Sequence, residues 1–354
     1  MTEYISYDLV EFGKPLEKRR QELPQPEGFQ VLLRVRRSGV CHSDLHITEG
    51  YFDLGEEGKF SMKERGLKLP LTMGHEIAGE VVATGPQAPD TLIGQNMLVF
   101  PWIGCGECQA CKDERENDCM KMRIIGLIQA GGYATHVLVE HPKFLVDVEG
   151  LNLDTVAPHA CSGLTVYNAL NVIGPLRAGE WLAVMGAGGL GLNAIAIARA
   201  LGHERIVAID IDEEKLQAAI EMGASAILDS SQDTALEELM RITGGQLASV
   251  LDTVGAPTTS YIAVRALIKT GCYVVVGLHG GDFKMPLPWL PQKALTVRGC
   301  HVGSSQQLRE LIDLVRTGKV QEIPVTKRPL SEVDRALNDL KAGKVRGRII
   351  LTAD

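Results

Sequence analysis

Hydrophobic spacing divides this chain into two textures. Up to about residue 150 the apolar positions alternate over short runs. Residues 30–40 predict a strand running into Cys41, and Ile77 to Thr84 and Met97 to Phe100 predict two more, interrupted by Gly85-Pro86 and Gly94. No long amphipathic helix is legible there, so a β-rich unit is expected. From about residue 163 apolar strands alternate with helical patterns: 181–185 then 190–201, 205–210 then 213–222, 225–228 then 233–242, 248–252 then 257–269, and 272–277. That alternation predicts βαβ units, a parallel sheet with helices on both faces, and an α/β class overall. Residues 304–317 and 331–342 read as helices and 348–352 as a short closing strand.

Composition narrows the function classes. A chain of 354 residues is ample for two domains, and 45% apolar with 23% charged residues is ordinary for a soluble globular protein. A net charge of −8 argues against a nucleic-acid or anionic-membrane surface. The opening residues carry neither a basic nor an apolar leader region, which predicts a cytoplasmic protein. Residues 181–198 are uncharged and long enough to raise a membrane span. Gly186, Gly188, Gly189 and Gly191 in their middle fit a strand, tight turn and helix better. Of the eight cysteines, four crowd between Cys105 and Cys119 while the rest scatter to 41, 161, 272 and 300. Such clustering reads as metal binding in a reduced compartment rather than as disulfides.

Three constellations carry chemistry. In Cys105-x2-Cys108-x2-Cys111-x7-Cys119 four thiolates fill every position of a tetrahedral zinc, which marks a structural site; an iron–sulfur cluster is the rival. The stretch opening with Cys41-His42-Ser43-Asp44-Leu45-His46 and closing with Gly74-His75-Glu76 offers material for a catalytic zinc. Such a site needs a third ligand, for which Cys161 is the natural candidate. An alcohol on that metal loses its proton near neutral pH. Ser43 would receive the proton and His46 deliver it to solvent, Asp44 would orient His75, and Glu76 would stand behind the metal. Finally, Gly186-x-Gly188-Gly189-Leu190-Gly191 follows a predicted strand and opens a predicted helix, with Asp210 about twenty residues on, as a dinucleotide turn requires. Asp210, Asp212, Glu213 and Glu214, offset only by Lys215, favour NAD over NADP.

Taken together, the Cys-His-Ser-Asp-x-His stretch, Gly-His-Glu, the four-cysteine lobe and the glycine turn resemble the zinc-dependent medium-chain alcohol dehydrogenases over essentially the whole chain. The resemblance implies a GroES-like catalytic domain (1–162, containing the lobe 105–119), a doubly wound Rossmann domain (163–298) and a C-terminal segment (299–354) completing the first. It implies Cys41, His75 and Cys161 on the catalytic zinc, Ser43 and His46 as relay, and the four lobe cysteines on a second zinc. It also implies His42 and Arg346 at the cofactor pyrophosphate, Thr165 near the nicotinamide, and Val254, Gly277 and Leu278 along the cofactor cleft. The insert between His46 and His75, with Leu67-Lys68-Leu69-Pro70, and the Pro101-Trp102 pair are closer to archaeal and bacterial tetrameric members. A homo-oligomer, dimer or tetramer, is therefore expected.

Trp102 is expected to wall the substrate pocket, with part of 47–60 and Trp289-Leu290 near its mouth. Trp102 and the scarcity of basic residues in these segments favour an uncharged, apolar primary or secondary alcohol, interconverted with its aldehyde or ketone. A polyol or amino-alcohol dehydrogenase of the same fold is the alternative. A non-catalytic NAD-binding structural or sensor protein is the alternative of another class. The charge run Glu56 to Lys68 reads as a solvated face, and His136, His141 and His203 read as surface or satisfied histidines. His159 reads as close to the metal without being a ligand, and Cys272 and Cys300 as strand and core residues.

Overall fold

The computed structural model describes residues 2–353. Met1 and Asp354, which end the expected catalytic domain, lie outside them. The second half of the chain builds a six-stranded, fully parallel sheet. Its order is Ala226–Asp229, Ile206–Asp210, Trp181–Met185, Leu247–Asp252, Cys272–Val275, Thr296–Gly299. The strand carrying the glycine turn is thus central, and the order reverses beside it, where a doubly wound sheet opens its ligand crevice. Separate apolar cores cover the two faces: Leu192, Ile195 and Leu170 on one, Leu239, Val264 and Leu267 on the other. Residues 181–198 divide between the strand Trp181–Met185 and the helix Gly189–Ala200, and among the described residues no helix is long and apolar enough to cross a membrane.

The first half is built on a mixed seven-stranded sheet in which Val31–Val40 is the hub. It pairs with Glu76–Thr84, with His136–Val139 and with the chain's last strand, Arg348–Thr352. The register of these pairings places Gly39 opposite Glu76 on one side and Ile350 on the other. Three strands far apart in sequence therefore bring Cys41, Glu76 and Arg348 to one end of the sheet. One apolar core packs here around Leu33, Ile77, Leu98, Phe100 and Ile349, and it reaches Leu308 and Ile312 near the C-terminus. The helix Ser162–Ile173 bridges the halves, because Leu164 packs in this core and Val166 in the nucleotide core.

Two local expectations differ from the structure. A helix, His42–Glu49, follows Cys41 where none was legible; it is short and its apolar positions form no clear stripe. The chain after Gly50 forms a small hairpin, Tyr51–Asp53 with Lys59–Ser61, joined through the single 3-10 turn Gly55–Glu57, where no strand was legible.

Candidate active site

Cys41 follows the hub strand directly and caps the helix His42–Glu49, with Asp44 Oδ2 accepting from the Cys41 backbone N–H at 2.8 Å. Tying the first turn down in this way sets the helix's side chains around the thiol. Ser43 Oγ donates to Cys41 Sγ at 3.2 Å and lies 3.5 Å from His75 Nε2. His42 and His46, one turn apart, have ring centroids 5.7 Å apart. Cys161 enters from the start of the bridging helix. The ligand atoms of Cys41, His75, Glu76 and Cys161 all lie within 4.8 Å of one another.

Buried charge organises this centre. Asp44 is fully buried, accepts from Tyr133 Oη at 2.7 Å, and places Oδ1 3.2 Å from His75 Nδ1. Burial alone would hold His75 neutral, but Asp44 outweighs it and raises the imidazole well above its ordinary pKa. The Asp44 contact leaves Nε2 facing the two thiols. Cys161 donates to Cys41, which pulls the Cys41 thiol down and pushes Cys161 up. Two sulfurs and an imidazole nitrogen gathered this closely suit a divalent cation, which displaces their protons on binding. Behind it, burial pushes the Glu76 carboxyl up to about 6 against the pull of Arg348, whose Nε donates at 2.9 Å and whose Nη2 also contacts the carboxylate. Sequence reasoning missed Arg348 and Tyr133. The only signal for Arg348 was a cation opening an otherwise apolar strand.

The second cysteine group forms a compact lobe. The Sγ atoms of Cys105, Cys108, Cys111 and Cys119 lie within 4.8 Å of one another, with Cys108–Cys111 at 3.5 Å and Cys105–Cys111 at 3.9 Å. A tetrahedron with ~2.3 Å metal–sulfur bonds has edges of about 3.8 Å, whereas a disulfide needs about 2 Å. Backbone N–H groups of Cys105 and Cys108 point at Cys119 and Cys105 sulfurs, at 3.4 Å each. Donation from the Glu107 and Cys108 amides holds the Cys105 thiol down to about 6, as a metal-ligating thiolate requires.

The Cys41, His75 and Cys161 centre and the glycine turn open onto one cleft, with a cavity of about 420 Å³. Towards the parallel sheet its wall includes His42, Thr165, Gly186, Gly188, Gly189, Leu190, Asp210, Lys215, Val254, Gly277 and Leu278. At the turn Gly186 has φ +87°, and a Cβ on Gly191 would stand 1.8 Å from Gly186 O, so the chain turns as tightly as it does only with glycine at both positions. A Cβ on Gly188 would meet nothing within 4 Å; open space therefore faces the N-terminus of the helix Gly189–Ala200, a site for a phosphate group. Asp210 accepts from Ala187 N at 2.7 Å and from Ile211 N at 2.8 Å, which holds its carboxylate at the rim of that turn.

Away from the sheet the cavity is walled by Ile47, Phe52, Met62, Trp102, Ile124 and Leu127, with Arg65, Cys300 and His301 among them. Trp102 is anchored by Nε1 donating to Ala160 O at 3.1 Å, and its ring lies 5.8 Å from His75. Several expected positions differ. Trp289 and Leu290 do not line the cavity; Trp289 packs by Arg265 and Lys293, whose cations lie 5.1 and 5.6 Å from its ring. Arg346 pairs with Glu221 on the surface, and Gly347 and Arg348 take the cavity wall instead. Cys300 packs against the nucleotide-domain core, as expected, and also lines the cavity. The charge run is not wholly a solvated face, because Arg65 reaches the cavity. One basic side chain, from outside the expected pocket segments, thus enters this arm of the cavity. His159 is buried with Nδ1 unpartnered, outside the ligand group.

Soft metal ligands and a dinucleotide cradle that share one cleft define the class of metal-assisted oxidoreductases. Comparison with known proteins agrees. Residues 27–150 match the alcohol dehydrogenase GroES-like domain family and residues 189–317 the zinc-binding dehydrogenase family. The chain is 37% identical over 346 residues to an NAD-dependent alcohol dehydrogenase of Sulfurisphaera tokodaii, covering 97% of this chain and 98% of that one. It is 36% identical, with the same coverage, to an NAD-dependent alcohol dehydrogenase of Saccharolobus solfataricus. The solved alcohol dehydrogenase of Aeropyrum pernix superposes with a TM-score of 0.88 at 28% identity, covering 98% and 99% of the two chains. The chain belongs to the zinc-binding alcohol dehydrogenase family, and two cysteines and a histidine around an open position is the catalytic zinc set already known for alcohol dehydrogenases.

Proposed function

We propose that this chain is an NAD-dependent zinc alcohol dehydrogenase that interconverts a primary or secondary alcohol with its aldehyde or ketone. The observation that carries the reading is the shared cleft, lined at once by Cys41, His75, Cys161 and glycines 186, 188 and 189 of the turn. Zinc held by those three ligands supplies the Lewis acidity that lowers the substrate hydroxyl's pKa, and NAD held by the glycine turn supplies the hydride acceptor. The chain's own residues supply the rest. Ser43 takes the hydroxyl proton beside Cys41 and His75. Among the described residues no direct hydrogen bond joins Ser43 to His46, so a bridging hydroxyl or water completes the path to solvent. Trp102 and the aliphatic wall exclude water and seat an apolar substituent. Asp210 selects a dinucleotide whose ribose hydroxyl is free. His42 and Thr165 flank the cofactor, and the four lobe cysteines hold a structural zinc. We read residues 1–162 with 299–354 as the catalytic domain, 163–298 as the cofactor domain, and the protein as a cytoplasmic homo-oligomer.

The test is NAD reduction against aliphatic, cyclic, aromatic and polyol alcohols, with zinc measured on the same sample. Two zincs per chain and turnover that chelation abolishes are expected; two zincs with no turnover of any alcohol would overturn the reading. A second prediction concerns His46. Burial, reinforced by His42, holds its pKa below the ordinary 6.5, so the neutral, proton-accepting form persists into mild acid. The acid limb of kcat/KM for alcohol oxidation should therefore fall below pH 6.5. His46→Gln should lower the rate by roughly 10²-fold and remove that limb. An unchanged pH profile in the variant would exclude His46 from the relay.

A further inference from the structure

One residue in the substrate arm is not explained by an apolar alcohol. Arg65 lies beyond the hairpin, and its guanidinium is 5.3 Å from the Phe52 ring, which in turn stands 5.0 Å from His46. Its side chain is accessible, but the space it faces is the cavity, where surrounding protein atoms crowd it. That crowding lowers its pKa, and among the described residues no neighbouring carboxylate offsets the loss of water. Across the arm His301 packs 5.7 Å from Trp102, which stands 5.8 Å from His75. Burial, helped by Arg65 itself, holds His301 below its ordinary pKa, so it brings no second cation at neutral pH. Two neighbouring cations point elsewhere: Lys59 stacks on Tyr51 and Lys63 on Phe12.

A guanidinium beside Phe52 in an otherwise apolar arm is a receptor for one negative charge. Its planar fork matches a carboxylate with two parallel hydrogen bonds. A phosphate dianion would call for more positive charge than the arm holds. Phe52, which lies against Arg65, Trp102, whose ring is 5.8 Å from His75, and Met62 wall the same cavity, which suits a hydrocarbon spacer. Building on the dehydrogenase reading above, we infer that the substrate is a hydroxycarboxylic acid, with its product semialdehyde or keto acid. The carbinol sits at Cys41, His75 and Cys161, and its carboxylate, separated by an apolar spacer, pairs with Arg65. Arg65 is then the specificity determinant of this chain, and the reaction before or after this one handles the same carboxylate.

The experiment compares kcat/KM for terminal hydroxycarboxylates and for alkanols matched in length over a series of chain lengths. The zinc-loaded protein is used as wild type, Arg65→Gln and Arg65→Lys. Wild type should favour the carboxylate at one spacer length. The ratio of carboxylate to alkanol should collapse by roughly tenfold or more in Arg65→Gln, the range of a charge-assisted hydrogen bond, and by less in Arg65→Lys. The loss should appear mainly in KM. Turnover of alkanols without carboxylate preference, or an equal loss on both substrates in Arg65→Gln, would overturn this inference alone. A phosphorylated alcohol preferred over the carboxylate would overturn the assignment of the anion. Failure of wild type on every alcohol would overturn the dehydrogenase reading and this inference with it.

Discussion

Cys41→Ala is expected to lower alcohol turnover by roughly 10³-fold or more while leaving NAD binding in place. Removing one of three soft ligands takes away the thiol that Cys161, Arg348 and His75 together hold most readily as thiolate. A metal's electrostatic stabilisation of developing charge amounts to several kcal/mol, and about 1.4 kcal/mol corresponds to a factor of ten in rate. The glycine turn lies in a different sheet and keeps its own contacts, Asp210 with Ala187 above all. Zinc analysis should find one metal per chain instead of two, with the lobe cysteines still loaded. Titrating NADH into the variant separates the two outcomes. Lost turnover with normal binding supports the ligand role, whereas turnover retained within about tenfold would remove Cys41 from the metal centre. Asp44→Asn should be milder, about 10- to 100-fold, because it misorients His75 without deleting a ligand.

The largest effect on stability should come from Arg348→Met. Glu76 is fully buried and Arg348 nearly so, and each is the other's main compensating charge. Deleting one partner leaves an unpaired carboxylate in the core, which costs about 3–5 kcal/mol. Removing both charges with Glu76→Gln and Arg348→Met together should recover most of it, since the interior then holds no charge to desolvate. The pH dependence has a definite sign. Burial already raises Glu76 to about 6 in the folded protein, above its ordinary 4.5, and losing Arg348 can only raise it further. A carboxyl whose folded pKa is raised binds more protons folded than unfolded, so stability falls as pH rises through that range. The deficit of Arg348→Met should accordingly be largest at about pH 8 and shrink below about pH 6. Urea unfolding at both ends of that window checks it; a deficit independent of pH would show that Glu76 is not the group left uncompensated.

Features that depend on neighbours along the chain were legible in the residues themselves. The strand Trp181–Met185, the turn Gly186–Gly191 and the helix Gly189–Ala200 follow from apolar periodicity and from the backbone freedom of glycine. The cysteine lobe follows from spacing, since four thiols within fifteen residues can meet without help from the rest of the fold. For the same reason Cys41, Ser43 and Asp44 were readable as one group, although the helix that orders them was not.

Tertiary structure alone decided which distant residues complete these groups. Cys161 reaches the metal centre because the bridging helix begins there. Arg348 meets Glu76 because the last strand pairs with Gly39 in one register, and a shift of one residue would turn its side chain to the other face. Tyr133 reaches Asp44 across many intervening residues with no local pattern to announce it. Register and loop path likewise sent Arg346 to Glu221 and Trp289 to Arg265, and carried Arg65 from a charged run into the cavity. Local sequence thus specified the chemical kinds of group this protein holds. Long-range strand pairing and packing, which no short window encodes, determined which of them face one another and what the cleft can bind.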